Sequence, residues 1–453
     1  MNPTSGPVVT VVGAGMVGSS IARRLAMAGR RVRLVDAREA GKGATAAAAG
    51  MLALGGECDT DSAWLRLGLR SMELYPGWVR ELEEETGLAI DFSIGGALEQ
   101  ADADPNALAL RCERQRSLGI PCEMRGDAAF YPGDGAVDPR GIFQALLACC
   151  RRLGVEIAEH QPVERIDDDD GPVVIAAGAW SGAIPVFSGG RRLDLPRTTP
   201  VKGHLIAYSL APGSLPHILR CGHTYIVQRA SGFTIAGTTS QQIGFDETLD
   251  AEMCLDVRRR AEQLWPELRQ HAPCAAWTGL RPLSETGEPV IGAVEGGRIW
   301  LAYGHYRNGI LLAPVTAEIV AGGIQGVLSR VTMDHSLDLA AEAGTSRPDR
   351  PERQRSILRL VLEANREDGN LQIEDLQCWL GGFRHHIQAD ERPSHLGDRL
   401  MDLGIPAGEV RLCGPGSSEL GPNRPCREHR AAVEVRDAAP AMKRGQRVEG
   451  VEP

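Results

Sequence analysis

No stretch of this 453-residue chain approaches the roughly 20 consecutive apolar residues of a membrane helix. Residues 1–7 are short, polar and uncharged, which is not the composition of a signal peptide. Together these absences lead us to expect no membrane span and a soluble, cytoplasmic protein. Basic residues are in the minority, 49 against 59 acidic, for a net charge of −10. That balance argues against nucleic acid as the main partner. The 11 cysteines (58, 112, 122, 149, 150, 221, 254, 274, 378, 413 and 426) contain no C-x-x-C and no zinc-type spacing, and their number is odd. We therefore expect no metal site and no disulfide framework, only free thiols in a reducing compartment. No internal repeat is visible.

Glycine, by contrast, is plentiful at 54 residues, which suits tight turns and close backbone approaches. Hydrophobic residues make up 43%, enough for a sizeable core, and the length allows two or three domains. Residues 8–12 are mostly β-branched and end in glycine, the pattern of a buried parallel strand. Residues 19–28 carry apolar side chains at helical spacing and stop at Gly29, and residues 31–35 form a second strand ending at Asp36. The three make a βαβ unit. Residues 61–85 read as a long amphipathic helix with Trp64, Leu67, Met72, Tyr75, Trp78 and Leu82 on one side. Residues 87–138 read as short strands and turns. "VDPRGIFQALLACCRRLGVEI" reads as a capped helix and a strand, and "PVVIAAGAWSGAI" as another strand. Further strands are expected between 200 and 237, and a helix over 247–271. "GRIWLAYGHYRNGILLAPVTAEIVAGGI" should be a strand, a glycine turn and an apolar helix. Beyond about residue 332 the composition changes. A linker, two helices at 356–364 and 373–380, and a largely flexible tail rich in Pro, Gly, Arg and Glu are expected there.

Gly13, Ala14, Gly15, Met16, Val17 and Gly18 spell G-x-G-x-x-G. The motif alone is weak in so glycine-rich a chain. Here it follows a strand, opens a helix and precedes a second strand ending in an acid, which is the setting of a dinucleotide site. Gly13 permits the turn, Gly15 lets backbone approach a pyrophosphate, and Gly18 allows close packing. The helix N-terminus offers N–H donors and positive potential, and Asp36 would accept from ribose hydroxyls. The tiny side chains of residues 41–53, "GKGATAAAAGMLA", suit close approach to a large planar ring, although in isolation they read as the start of a small-residue helix. Taken alone, Arg281 and Arg307 read better as members of structural salt bridges.

The segments "TVVGAGMVGSSIARRLAMAGRRVRLVDA", "GATAAAAGML", "VDP", "VVIAAGAWS", "GLRP", "EPVIG" and "GHYRNGILLAP" change this. In this order, over about residues 8–326, they resemble the FAD-dependent amine oxidases of the D-amino-acid oxidase family, most of all its glycine-oxidising members of thiamine biosynthesis. The resemblance implies an α/β (α+β overall) fold. A doubly wound, Rossmann-like FAD/NAD(P)-binding domain (about 7–82, 138–182 and 275–330) would be interleaved with a substrate domain on a mixed or antiparallel sheet (about 83–137 and 183–274), within residues 1–340. A C-terminal extension, 341–453, has no counterpart.

By the same resemblance, FAD would be held by Gly13 to Gly18, by Asp36, Ala37 and Arg38, and by Ala44, Thr45, Ala48, Ala49, Gly50 and Met51. Val163, Ala177 and Gly178 would join them, with His305, Tyr306, Asn308, Gly309 and Ile310 turning over the ring. Binding would be non-covalent: no cysteine lies between Cys274 and Cys378, where the usual anchor falls, and the first histidine is His160. Arg281 would grip the substrate carboxylate in a bidentate fork, Tyr225 would lend a hydroxyl, and Arg307 would lie beside the pocket. The implied reaction turns glycine, water and dioxygen into glyoxylate, ammonia and hydrogen peroxide. Sarcosine or a small D-amino acid, a dehydrogenase partner in place of dioxygen, or a non-catalytic flavoprotein working through its tail are the alternatives. The reaction asks mainly for positioning, so no general base is nominated, and His204 and His223 are read as structural. Departures from the family are the short acidic run 167–170 and Gln228 in place of a proline. A homo-oligomer is compatible with all of this.

Overall fold

The expected βαβ unit seeds the first sheet. In the computed structural model, strand β1 (Val9–Val12) leads through helix α1 (Met16–Met27) to strand β2 (Val32–Val35). Ile21 and Leu25 of α1, one turn apart, are fully buried against this sheet. Six strands line up in the order Val290–Ala293, Ile299–Tyr303, Val173–Ile175, β1, β2, Glu156–Ala158. All neighbours are parallel except the edge pair Val290–Ala293 and Ile299–Tyr303. The central strands are largely apolar, as strands covered on both faces require. Helices Ala63–Thr86, Pro139–Arg152 and Gly309–Ile324 complete the helical layer with α1.

The structure describes residues 7–102, 104–167, 171–294 and 297–326, and three short strands further on. Those strands, Leu371–Gln372, Arg411–Leu412 and Ala432–Glu434, form a small antiparallel sheet in a second unit that begins at Ser346. The linker, helices and flexible tail expected beyond residue 332 otherwise lie outside the described residues, as does most of the acidic run.

The second large sheet has eight strands, ordered Ala275–Ser284, Thr198–Ser209, Phe233–Gly237, Thr224–Gln228, Ile218–Cys221, Ala97–Gln100, Ala128–Tyr131, Glu123–Arg125. It is antiparallel except where Ile218–Cys221 meets Ala97–Gln100. The strand with Arg281 pairs along its length with Thr198–Ser209, so the "GLRP" segment sits with this sheet although the sequence suggested that the next FAD-binding part begins at 275. Side chains alternate between two faces. Ile206, Tyr208 and Ile226 pack under helix Ala251–Leu264, while Leu205, Val227, Ile235 and Tyr225 face the other way.

Three expectations need correction. A helix, Pro105–Ser117, stands in the stretch read as short strands and turns. Its buried face is only Leu108, Cys112 and the polar Gln115, while Leu110 faces solvent, so its apolar pattern is weak, and the legible signal was its start: the Asp104 carboxylate accepts from the Asn106 N–H, and proline follows at the first helical position. The helix expected over 247–271 is shorter, Ala251–Leu264 with a 3-10 turn Pro266–Gln270, because Asp250 caps it. The thiols are not all free: Cys112 and Cys122 form a disulfide, their Cα atoms 5.8 Å apart. The pair joins the new helix to the loop behind it, a proximity that no spacing motif announces.

Candidate active site

A cavity of about 1090 Å³ opens at the C-terminal ends of the parallel strands, the usual place for a ligand in a doubly wound sheet. Its far wall is the eight-stranded sheet. Of the residues singled out in the sequence, all but Ala14 and Gly18 line it: Gly13, Gly15, Met16 and Val17; Asp36, Ala37 and Arg38; Ala44, Thr45, Ala48, Ala49, Gly50 and Met51; Val163, Ala177 and Gly178; His305 to Ile310; and Tyr225, Arg281 and Arg307. The other two lie just behind. Ala14 donates its N–H to Asp36 Oδ2 at 2.7 Å. A Cβ on Gly18 would stand 1.9 Å from the Gly13 carbonyl oxygen. Gly13 itself has φ +108°, and a Cβ there would stand 2.3 Å from the Ala176 carbonyl oxygen. Only glycine satisfies both the turn and the close approach to the neighbouring strand.

At this end of the cavity α1 begins at Gly15 with no side-chain cap on its own N-cap residue. The Met16 N–H is taken by Thr45 Oγ1 at 2.9 Å, so the small-residue stretch 41–53 is tied to the glycine turn. The Asp36 carboxylate accepts from the Ala14 and Arg38 N–H groups (2.7 and 2.8 Å) and keeps further acceptor capacity. Arg38 lies over the Trp180 ring, 4.4 Å from its centre, and pairs with Glu247 at 3.0 Å.

At the other end the two arginines differ. Arg281 reaches across Gly203, where a Cβ would stand 1.9 Å from its Nη2. It donates to Thr238 Oγ1 (3.3 Å) and to the Thr239 carbonyl. Among the described residues no carboxylate pairs with it, and burial pushes its guanidinium below the usual range. Arg307 donates to Glu57 Oε2 at 2.6 Å. Burial works against its charge, but Glu57 more than offsets that and holds it above the usual range. Both cations approach the Tyr306 ring, at 5.9 and 5.8 Å from its centre. Tyr225 stands opposite Gly237 in the sheet register, where a side chain would collide with its ring. Loss of hydration pushes the Tyr225 phenol up to about 12 against the pull of Arg281, Arg307 and Arg229, so at neutral pH it is a donor.

Of His204, His223 and His305, the last two line the cavity and the first does not. His305 is buried, bonded through Nε2 to Thr316 Oγ1 at 3.0 Å, and desolvation pushes it down to about 4. His204 is buried against Thr239 and the Asp250 N–H, away from the cavity. His223 is exposed at the cavity wall.

Residues 9–322 match the family described as DAO, FAD dependent oxidoreductase. The chain belongs to that family. A glycine oxidase of Pseudomonas aeruginosa is 34% identical over 350 residues, covering 70% of this chain and 94% of the relative. A bifunctional protein ThiO/ThiG of Trichormus variabilis is 30% identical, covering 72% of this chain and 54% of its own length. The crystal structure of glycine oxidase from Geobacillus kaustophilus is similar with a TM-score of 0.67 at 30% identity, covering 72% of this chain and 96% of that one. The protein is thus an FAD-dependent oxidoreductase of mixed α/β fold.

Sequence reasoning missed Glu57, Thr238, Thr239 and Arg220. Glu57 follows Gly55 and Gly56 in the loop after the small-residue stretch, and nothing in "GGECD" points across the chain to Arg307. The loop is held from beneath: Asp134 Oδ1 accepts from the Leu54 and Gly55 N–H groups (3.1 and 3.3 Å), and Arg220 donates to the Gly55 carbonyl at 2.6 Å. Arg220 also pairs with Asp134 at 3.0 Å. Burial nevertheless pushes Asp134 up to about 6.

Proposed function

We propose that the protein oxidises the amine of a small amino acid, glycine first, with Arg281 and Tyr225 holding the substrate carboxylate. The observation that carries this is Arg281 itself. A guanidinium largely withdrawn from water, with only neutral partners among the described residues, is costly unless an anion completes it. Tyr225, kept protonated, supplies a second donor to that anion.

The residues at the opposite end fit FAD. The glycine turn leaves no room for side chains where a pyrophosphate would approach, α1 offers N–H donors there, and Asp36 has lone pairs to spare for ribose hydroxyls. Gly13 to Gly18, Asp36 to Arg38, the 44–51 stretch, Val163, Ala177 and Gly178 would hold it, with His305 to Ile310 beside the ring and no covalent anchor. Bound FAD supplies the two-electron acceptor that dioxygen restores. The chain's own part is to position and to exclude water. Arg281 and Tyr225 orient the carboxylate. Exclusion of water from the closed cavity favours the neutral amine over the ammonium ion. His305, neutral and already bonded to Thr316, is no base for that proton.

The balance is glycine, dioxygen and water to glyoxylate, ammonia and hydrogen peroxide. We extend the reading to thiamine biosynthesis, as the sequence resemblance implies and as a ThiO/ThiG relative accords with. The test is a peroxide assay of purified yellow protein against glycine, sarcosine and D-alanine. Turnover of glycine ahead of the other two is the expected result. No peroxide and no flavin reduction with any of the three would overturn it.

A further inference from the structure

We propose that Glu57 sets the substrate class: by occupying Arg307 it leaves Arg281, among the described residues at this end of the cavity, as the guanidinium open to a carboxylate, so the site takes monocarboxylic amines and rejects those with a second acid. This rests on Arg281 as the carboxylate anchor.

The two cations at this end of the cavity are the starting point. Arg281, Arg307 and Tyr225 all line the cavity, and both guanidinium groups approach the Tyr306 ring, at 5.9 and 5.8 Å from its centre. Two arginines at that range would form a site for two anionic groups, as in a dicarboxylate clamp. Glu57 changes the balance. Its carboxylate lines the same cavity and lies 2.6 Å from Arg307 Nη2. It therefore serves as an internal second anion. A substrate with one carboxylate meets Arg281 and leaves Glu57 undisturbed. A substrate with a second carboxylate, on the nitrogen or the side chain, must face Glu57 or displace it from Arg307, and like charges brought together in a partly dry cavity repel strongly.

Glu57 is not a wandering surface acid. Its own N–H bonds the Leu54 carbonyl, and the Leu54–Gly55 backbone is pinned by the buried Asp134–Arg220 pair. A Cβ on Gly56 would stand 2.7 Å from Glu99 Oε2, so the loop runs close over a second ion pair, Glu99 with Arg111. The fold thus fixes the loop that carries this carboxylate by interactions that do not involve Arg307, as a specificity device requires.

The experiment titrates flavin-loaded protein with acetate and with malonate, one carboxylate against two, and reads the change in flavin absorbance. In Glu57→Gln the preference for malonate over acetate should rise at least about tenfold relative to the unaltered protein, the scale of one charge-assisted interaction with the freed Arg307. Adding Arg307→Gln should abolish the rise. Kinetics should follow, with iminodiacetate improving relative to glycine in kcat/KM. A smaller rise, or one that survives Arg307→Gln, overturns the assignment. If Glu57→Gln does not load flavin, Glu57→Ser carries the same test, and failure of both to load makes the pair a structural strut and overturns it too. The titrations need no turnover. Protein that binds these acids yet never oxidises glycine would count against the proposed reaction, while the malonate preference alone judges Glu57.

Discussion

Replacing Arg281 tests the carboxylate anchor through two readouts that should move differently. In Arg281→Met the apolar length of the side chain is largely kept and the charge and fork are lost. The loss to the empty protein should be small. Thr238 Oγ1 still bonds the His204 carbonyl, and the Thr239 carbonyl still accepts from Thr238 Oγ1. Removing a poorly hydrated cation that has no carboxylate partner among the described residues also relieves desolvation. Melting should therefore shift by no more than about 3 °C, and upward is allowed, since 1 kcal/mol moves a domain of this size by roughly 2 °C. Substrate handling should suffer heavily. Glycine offers a carboxylate and an amine, and a truncated charge-assisted contact in a dry site costs on the order of 2–5 kcal/mol, or roughly 30- to several-thousand-fold in kcat/KM. Most of that should appear in KM. Arg281→Lys should restore part of it, because a point charge cannot reproduce the fork. The assays are a peroxide-coupled rate, flavin absorbance and a thermal melt. A near-normal KM for glycine and for every other small amino acid would refute the anchor. So would a melt lowered by the equivalent of about 3–5 kcal/mol, the signature of a broken buried ion pair.

Gly18→Val should abolish flavin loading, since its Cβ would stand 1.9 Å from the Gly13 carbonyl oxygen and the turn would have to open; a soluble variant with the normal ratio of flavin to protein absorbance would count against the assigned turn. His305 imposes a pH dependence on stability. It titrates near 6.5 when unfolded and at about 4 when folded, so between those values the unfolded chain binds the extra proton. Its contribution to stability is intact above about pH 6.5 and declines as pH falls towards 4, by about 3 kcal/mol over the whole window. Denaturant melts across that range should flatten by about this amount in His305→Gln, and an unchanged slope would show that His305 is not buried neutral.

The glycine turn and its βαβ unit could be read from the chain because their determinants are local. The run Gly13 to Gly18, its flanking strands and Asp36 lie within one βαβ unit, where backbone sterics and a single helix start dictate the geometry. The alternation that aims Tyr225 and Val227 one way and Ile226 the other is likewise a property of any strand. Helix Pro105–Ser117 escaped because its apolar pattern is weak, and the Cys112–Cys122 bond because the path of a loop sets their distance. The different partners of the two arginines escaped for a larger reason. In sequence Arg281 and Arg307 are each a cation near glycines, equally suited to a salt bridge. Arg307 finds Glu57 from 250 residues away, across a loop pinned by Asp134 and Arg220, whereas Arg281 is left with Thr238 and Thr239 by the strand pairing that brings it across Gly203. Which charge is neutralised and which stays open depends on where distant segments come to rest, and no local preference of the chain encodes that.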